Sequence, residues 1–174
     1  MNKLSLSLLL ACSAWAQATT TDTTLPSMTV GIGPSWTRGD IHAASADVDV
    51  ALRLGSSNVF SWSTVSTPVA TVPKGAQPLA STITTGFAYV AARSTSGSVS
   101  LLTIVQAGFN SVQATGTTSP AFTGSAGLAI RMGRTNLYVM PYMKASNPQR
   151  GTDGALVSAT LQPGFMLIYG FGGK

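Results

Sequence analysis

Phe122-Thr123-Gly124-Ser125-Ala126-Gly127-Leu128-Ala129-Ile130-Arg131 sets how the chain is read. Phe122, Gly124, Ala126, Leu128 and Ile130 present one face, and Thr123, Ser125, Gly127, Ala129 and Arg131 present the other. A period of two is the repeat of a β-strand, whose successive side chains point to opposite sides of a sheet. One face of this stretch is apolar, and the opposing face is small or hydroxylated and carries one charge.

The same rhythm recurs on both sides of this stretch. Met28, Val30, Ile32, Pro34 and Trp36 oppose Thr29, Gly31, Gly33, Ser35 and Thr37, and Ala46, Val48, Val50 and Leu52 oppose Asp47, Asp49, Ala51 and Arg53. Ile83, Phe87, Tyr89 and Ala91 oppose Thr84, Gly86, Ala88 and Ala92, while Val99, Leu101, Val105, Ala107 and Phe109 form a further stripe. Leu137, Val139, Pro141 and Met143 oppose Tyr138, Met140, Tyr142 and Lys144. A last, long stretch runs from Val157 to Phe171, and a weaker one from Val59 to Val65 carries Phe60 and Trp62 on one face. The pattern predicts eight strands and no helix beyond the N-terminal leader. Pro141 and Pro163 interrupt two of them, and bulges or kinks are the expected accommodation.

Composition narrows the class. Only 9% of the 174 residues are charged, against about 25% in soluble domains. The balance is ten Lys and Arg to five acidic residues, all of them Asp, for a net charge of +5. One Cys and one His exclude an intrachain disulfide framework, a cysteine-rich zinc site and a histidine cluster. No metal or cofactor is expected. Gly31-Ile32-Gly33 lacks the following helix that a phosphate loop needs, and the basic residues form no run that would indicate nucleic acid.

Residues 1–18 have the layout of a cleaved export signal: Lys3, an apolar stretch from Leu4 to Ala11, and small-x-small pairs ending at Ala16 and Ala18. Leu9-Leu10-Ala11-Cys12 also fits a lipidation box, the alternative processing route. Residues 19–26 read as a short linker and 27–174 as one β domain. Beyond the leader no apolar run is long enough for a helical membrane span.

The connections alternate in length. Gly55–Asn58, Ser94–Gly97 and Gly133–Asn136 are tight turns, whereas Arg38–Ala44, Thr67–Ala80, Asn110–Pro120 and Ser146–Gly154 are longer. Antiparallel neighbours would gather the short turns at one end and the long loops at the other, which is the asymmetry of transmembrane barrels. A soluble secreted β-sandwich is the rival architecture. Its wet faces should carry Lys and Glu, but the polar faces of this chain are Gly, Ala, Ser and Thr, which suit the narrow interior of an eight-strand barrel. The expected fold is therefore an eight-stranded antiparallel up-and-down transmembrane β-barrel. Its apolar stripes would face lipid and its glycine-and-hydroxyl faces would line the middle.

Near the C-terminus Gln162, Gly164, Leu167 and Tyr169, with Phe171 two residues further on, fall on the polar-x-Gly-x-x-apolar-x-apolar pattern of a barrel insertion signal. With its size, leader and loop asymmetry, the chain resembles the small eight-stranded outer-membrane barrels of the OmpA/OmpX type. The resemblance implies a monomer in the outer membrane of a Gram-negative envelope, inserted by the barrel-assembly machinery and surrounded by outer-membrane lipids. It also implies a non-enzymatic structural or surface-interaction role through the external loops, with the ligand unspecified.

Aromatic girdles are expected from Trp36 and Phe109 at the loop end and from Tyr169, Phe171 and Phe60 at the turn end. Asp47, Asp49, Arg53, Arg131 and Lys144 have inward parity and would form a polar network filling the lumen, because unpaired burial is costly. Strand direction puts Asp47 and Lys144 toward the loops and Arg53 and Arg131 toward the turns. A narrow pore lined by these groups is the alternative reading. Asp40, His42 and Ser45 could suggest a lipid-modifying triad, but close spacing on one loop does not supply triad geometry. The tripeptide Arg38-Gly39-Asp40 is read as a turn.

Overall fold

In a computed structural model of the chain, one sheet closes on itself. The structure describes residues 25–37, 43–69, 81–112, 117–147, 149–150, 156–157 and 161–172. The leader, the linker up to residue 24, and Arg38, Gly39, Asp40 and His42 lie outside this set.

The elements are β1 (Met28–Thr37), β2 (Ala43–Arg53), β3 (Val59–Pro68), β4 (Ser81–Arg93), β5 (Val99–Val112), β6 (Thr117–Arg131), β7 (Leu137–Ser146), β8 (Gln149–Arg150), β9 (Leu156–Val157) and β10 (Leu161–Phe171). The barrel runs β1-β10-β7-β6-β5-β4-β3-β2, and every neighbouring pair is antiparallel. The eight expected strands are present, and the sandwich arrangement is not adopted. Closure through the β1–β10 pair, from Met28↔Phe171 to Ser35↔Gly164, leaves no open edge to recruit another chain.

Three features depart most from the sequence reading. The last barrel strand begins at Leu161 rather than Val157, because Leu156 and Val157 pair with Arg150 and Gln149 in a separate two-stranded hairpin. Alternation identifies extended chain but not its partner. The stretch Asn110–Pro120, expected as loop, is largely ladder: Asn110 pairs with Ser119 and Val112 with Thr117. Its polar residues suit a strand whose inward face is itself polar, and β4, β5 and β6 reach 13, 14 and 15 residues against 10 in β1, β3 and β7. The prolines, finally, cause no bulge. The β6–β7 pairing instead skips from Gly127↔Tyr142 to Ile130↔Val139, across Pro141, which has no N–H to donate. Among the described residues the one shift of register within the barrel lies between Val90 and Ala92, where β4 pairs with β5. It turns Arg93 to the side of buried Ser100.

The outer wall carries no charge and is largely apolar, with hydroxyl residues such as Ser63 and Thr85 on it. Ile32, Val50, Phe87, Val105, Phe122 and Leu128 are between 39% and 70% exposed. The inner face has two layers. Near the turns it is an apolar core containing Phe60, Trp62, Leu102, Ile104, Met140 and Met166, closed at the mouth by Leu25, which is buried ahead of β1. Near the loops it holds Asp47, Asp49, Thr64, Gln106, Asn110 and Lys144, also buried. The expectation of a small, polar interior is therefore met in the loop-side layer and corrected in the turn-side layer. Phe60, expected in an outer girdle, is 3% exposed and faces inward.

Candidate functional site

The polar layer is built from several strands. Alternation along β2 sends Asp47 and Asp49 inward, and alternation along β7 does the same for Tyr142 and Lys144, which approach from across the lumen. Lys144 Nζ lies 3.2 Å from Asp47 Oδ2, and the Tyr142 hydroxyl donates a hydrogen bond to the same oxygen. Asp49 pairs in register with Thr64 and sits beside Trp62.

Tyr142 reaches Asp47 because glycines on both neighbouring strands make room for its ring. A Cβ at Gly164 of β10 would collide with the hydroxyl end of the phenol ring, and one at Gly127 of β6 would crowd its Cβ. Gly164, read from sequence as part of an insertion signal, thus also seats the ring that completes the charge cluster.

A second cluster centres on Gln106. Its Nε2 donates to Thr64 Oγ1 at 2.9 Å and to the Trp62 carbonyl at 3.3 Å, while its Oε1 accepts from Thr123 at 3.4 Å. Thr82 donates to Asn110 Oδ1 at 2.6 Å. The sequence pattern alone does not single out Gln106 or Asn110. Both stand on the parity opposite to the Val105–Phe109 stripe, which is the one signal of their inward position.

Between the clusters lies a cavity of about 20 Å³, lined by Asp47, Asp49, Gln106, Tyr142 and Lys144 among others. That is room for roughly one water, not for a hydrated ion. Among the described residues no three His, Cys, Asp or Glu side chains gather where they could hold a metal.

Arg53 and Arg131 do not join the Asp47–Lys144 cluster. Each clamps the turn that follows it: Arg53 Nε donates to the Ser57 carbonyl at 2.7 Å, and Arg131 Nε to the Thr135 carbonyl at 2.6 Å. Arg93 does likewise through Nη2 to the Gly97 carbonyl at 3.1 Å. In each case the acceptor is four residues on. The guanidinium reaches back over a short turn because Arg is the last residue of its strand and its fork of donors faces converging carbonyls.

Two of these turns are built alike. Arg53-Leu54-Gly55-Ser56-Ser57-Asn58-Val59 and Arg131-Met132-Gly133-Arg134-Thr135-Asn136-Leu137 share their layout. Gly55 and Gly133 both have φ of 62°, a left-handed conformation that glycine adopts without strain. The Ser57 and Thr135 hydroxyls donate to the Leu54 and Met132 carbonyls, each at 2.6 Å.

Of the C-terminal motif, Gln162 pairs with Lys144 and Gly164 with Tyr142. Leu167, Tyr169 and Phe171 are exposed on the outer wall, the two rings meeting edge to face at 4.8 Å. Ser45 lies in β2 opposite Ser35. The arrangement ties strands together across the lumen and at the turns. No protein-family model matches this chain, and no curated protein matches it.

Proposed function

We propose that the protein is a transmembrane barrel of the bacterial outer membrane, of the OmpA/OmpX-like kind, with a structural or surface-interaction role exercised through the connections at its loop end. One observation carries this reading. Every charged residue in the eight barrel strands (Asp47, Asp49, Arg53, Arg93, Arg131 and Lys144) has inward register, and the outward positions carry no charge and are mostly apolar, with hydroxyl residues such as Ser63 and Thr85 among them. A wall of that size without charge is an aggregation hazard in water and the required solvent boundary in lipid. The leader-like N-terminus agrees with it, as do the two longer loop-end connections, between β3 and β4 and between β7 and β10. The filled lumen supports a passive role over conduction, since the Asp47–Lys144 and Gln106 clusters occupy the path a solute would take.

Membrane fractionation combined with cold and boiled detergent gels tests the reading. The protein should sediment with outer membranes and migrate as a compact band until boiled; recovery in the soluble fraction with no heat-dependent shift would overturn it. Leu128→Arg, which puts a charge on the outer wall, should cost about 2–4 kcal/mol of barrel stability in vesicles. An unchanged urea midpoint would contradict the lipid-facing assignment. Planar-bilayer recordings of the wild type and Asp49→Asn should show no channel activity.

A further inference from the structure

We infer that the lumen binds one water molecule at a fixed site between Asp47, Asp49 and Trp62, where it joins the two polar clusters into a single network. Three buried side-chain atoms there, Asp47 Oδ1, Asp49 Oδ1 and Trp62 Nε1, have no hydrogen-bond partner among the described residues. The three residues are 1%, 4% and 2% exposed, so bulk solvent does not satisfy them. A buried polar atom left unpaired loses its hydration without return, and all three residues line the same cavity of about 20 Å³. Trp62 Nε1 stands close to the Asp49 carboxylate but makes no direct hydrogen bond to it. The orphaned atoms therefore call for one shared partner in the cavity.

The number and sense of these groups identify the occupant. It must accept a hydrogen bond from the indole N–H and donate one to each carboxylate oxygen. Water does both, and a buried water typically makes about three such bonds. A metal ion accepts nothing from an N–H and would be repelled by Lys144, whose Nζ already lies 3.2 Å from Asp47 Oδ2. With the water in place the connections run unbroken. Lys144 and Tyr142 of β7 bond to Asp47 of β2, the water carries the link to Trp62 of β3, and the Trp62 carbonyl accepts from Gln106 of β5 at 3.3 Å. Gln106 in turn accepts from Thr123 of β6 at 3.4 Å. Strands from both sides of the lumen are thereby tied through one small molecule. Ile104, Met140 and Met166 also line the cavity, and their side chains offer no N–H or O–H group, so the site is an end point and not a step in a path through the barrel.

The site is tested apart from the membrane reading, since the lumen is the same whichever fraction yields the folded barrel. The chain has three Trp, so in the full-length protein carrying Trp15→Phe and Trp36→Phe the one indole signal is that of Trp62; Trp36 lies on the outer wall, where the change is mild. Cross-relaxation between this indole N–H and water is measured by NMR in the laboratory and rotating frames. The signals should have opposite sign in the two frames, which marks a held water as opposed to proton exchange. Adding Asp49→Leu removes an acceptor and fills the cavity, and should abolish the signal. Adding Thr64→Val instead removes the hydroxyl beside Asp49 and keeps the cavity, and should retain it. A folded barrel without the signal, a signal that survives Asp49→Leu, or one lost in Thr64→Val would overturn the site, and each variant decides without the other. Urea midpoints in sodium chloride and in choline chloride of equal ionic strength should coincide, whereas a higher midpoint in sodium would assign the cavity to a cation and overturn the water.

Discussion

Near the turns the interior is filled by Phe60, Trp62, Leu102, Ile104, Met140 and Met166, and near the loops by Asp47, Asp49, Gln106, Tyr142 and Lys144 with hydroxyl residues between them. The same eight strands enclose both layers, so the contrast isolates what the fillings do. Each large apolar side chain withdrawn from solvent contributes about 1.5–3 kcal/mol and demands only volume and shape. Each buried charge must instead be matched in position, and the match roughly offsets its desolvation. The apolar layer is thus the source of stability, and the polar layer is the source of specificity, since Lys144 and Tyr142 can reach Asp47 in only one register. Placing the layers at opposite ends also gives the barrel a mainly apolar interior toward the turns and a polar one toward the loops.

The largest effect that distinguishes the layers is expected from Phe60→Ala. It opens a cavity between Trp62 and the strands around it and should lower stability by about 3–5 kcal/mol, read as a fall in the urea midpoint of the heat-modifiable band. A fall of the same size from an outward truncation such as Val65→Ala would erase the contrast between core and wall. In the polar layer Lys144→Met leaves the Asp47 carboxylate buried beside Tyr142 without its cation. About 3 kcal/mol should be lost, and the loss should be recoverable by a second change, as the Phe60 loss should not.

The outer wall is legible in the sequence wherever one parity is apolar and the other small, hydroxylated or charged, as in β1, β2 and β6. The turn-side core is not. In β5 both parities are apolar there, with Leu101 against Leu102 and Ile104 against Val105, and in β3 the outward positions are Ser61 and Ser63 while Phe60 and Trp62 point in. Parity then cannot say which face is inside. Room on other strands decides: Trp62 pairs with Gly86, and Met166 packs where a Cβ at Gly31 would stand.

Inward parity and approximate height of Asp47 and Lys144 follow from strand direction, but their meeting depends on the stagger of the strands, a property of the closed sheet and of no single segment. Parity alone groups Arg53 and Arg131 with them. The long guanidinium side chains instead find carbonyls in their own turns, Arg53 with a further bond to the Leu25 carbonyl, and inward parity does not distinguish these partners from one across the lumen.

A smaller effect should come from Gly164→Ala, which sets a methyl group against the Tyr142 ring and pushes the hydroxyl off Asp47. About 1–3 kcal/mol should be lost. Gly124→Ala provides the comparison, because a Cβ there points into open space on the outer wall and should leave the midpoint unchanged. Equal losses at the two sites would mean that alanine simply disfavours these strands, and that the ring has no special seat.

The smallest change is predicted for the double variant Asp47→Asn with Lys144→Met. Removing both charges together leaves an amide oxygen to accept from Tyr142 and takes away two groups whose desolvation the pair only just offsets. The double variant should therefore lie within about 1 kcal/mol of the wild type even though Lys144→Met alone is costly. If the double variant is as unstable as the single one, the ion pair itself contributes to stability and the division of labour between the layers fails. If its midpoint is restored but the purified barrel shows several slowly exchanging forms by NMR, the charges act by holding the strands in one register, and the polar layer secures a unique closed sheet whose stability comes from the apolar one.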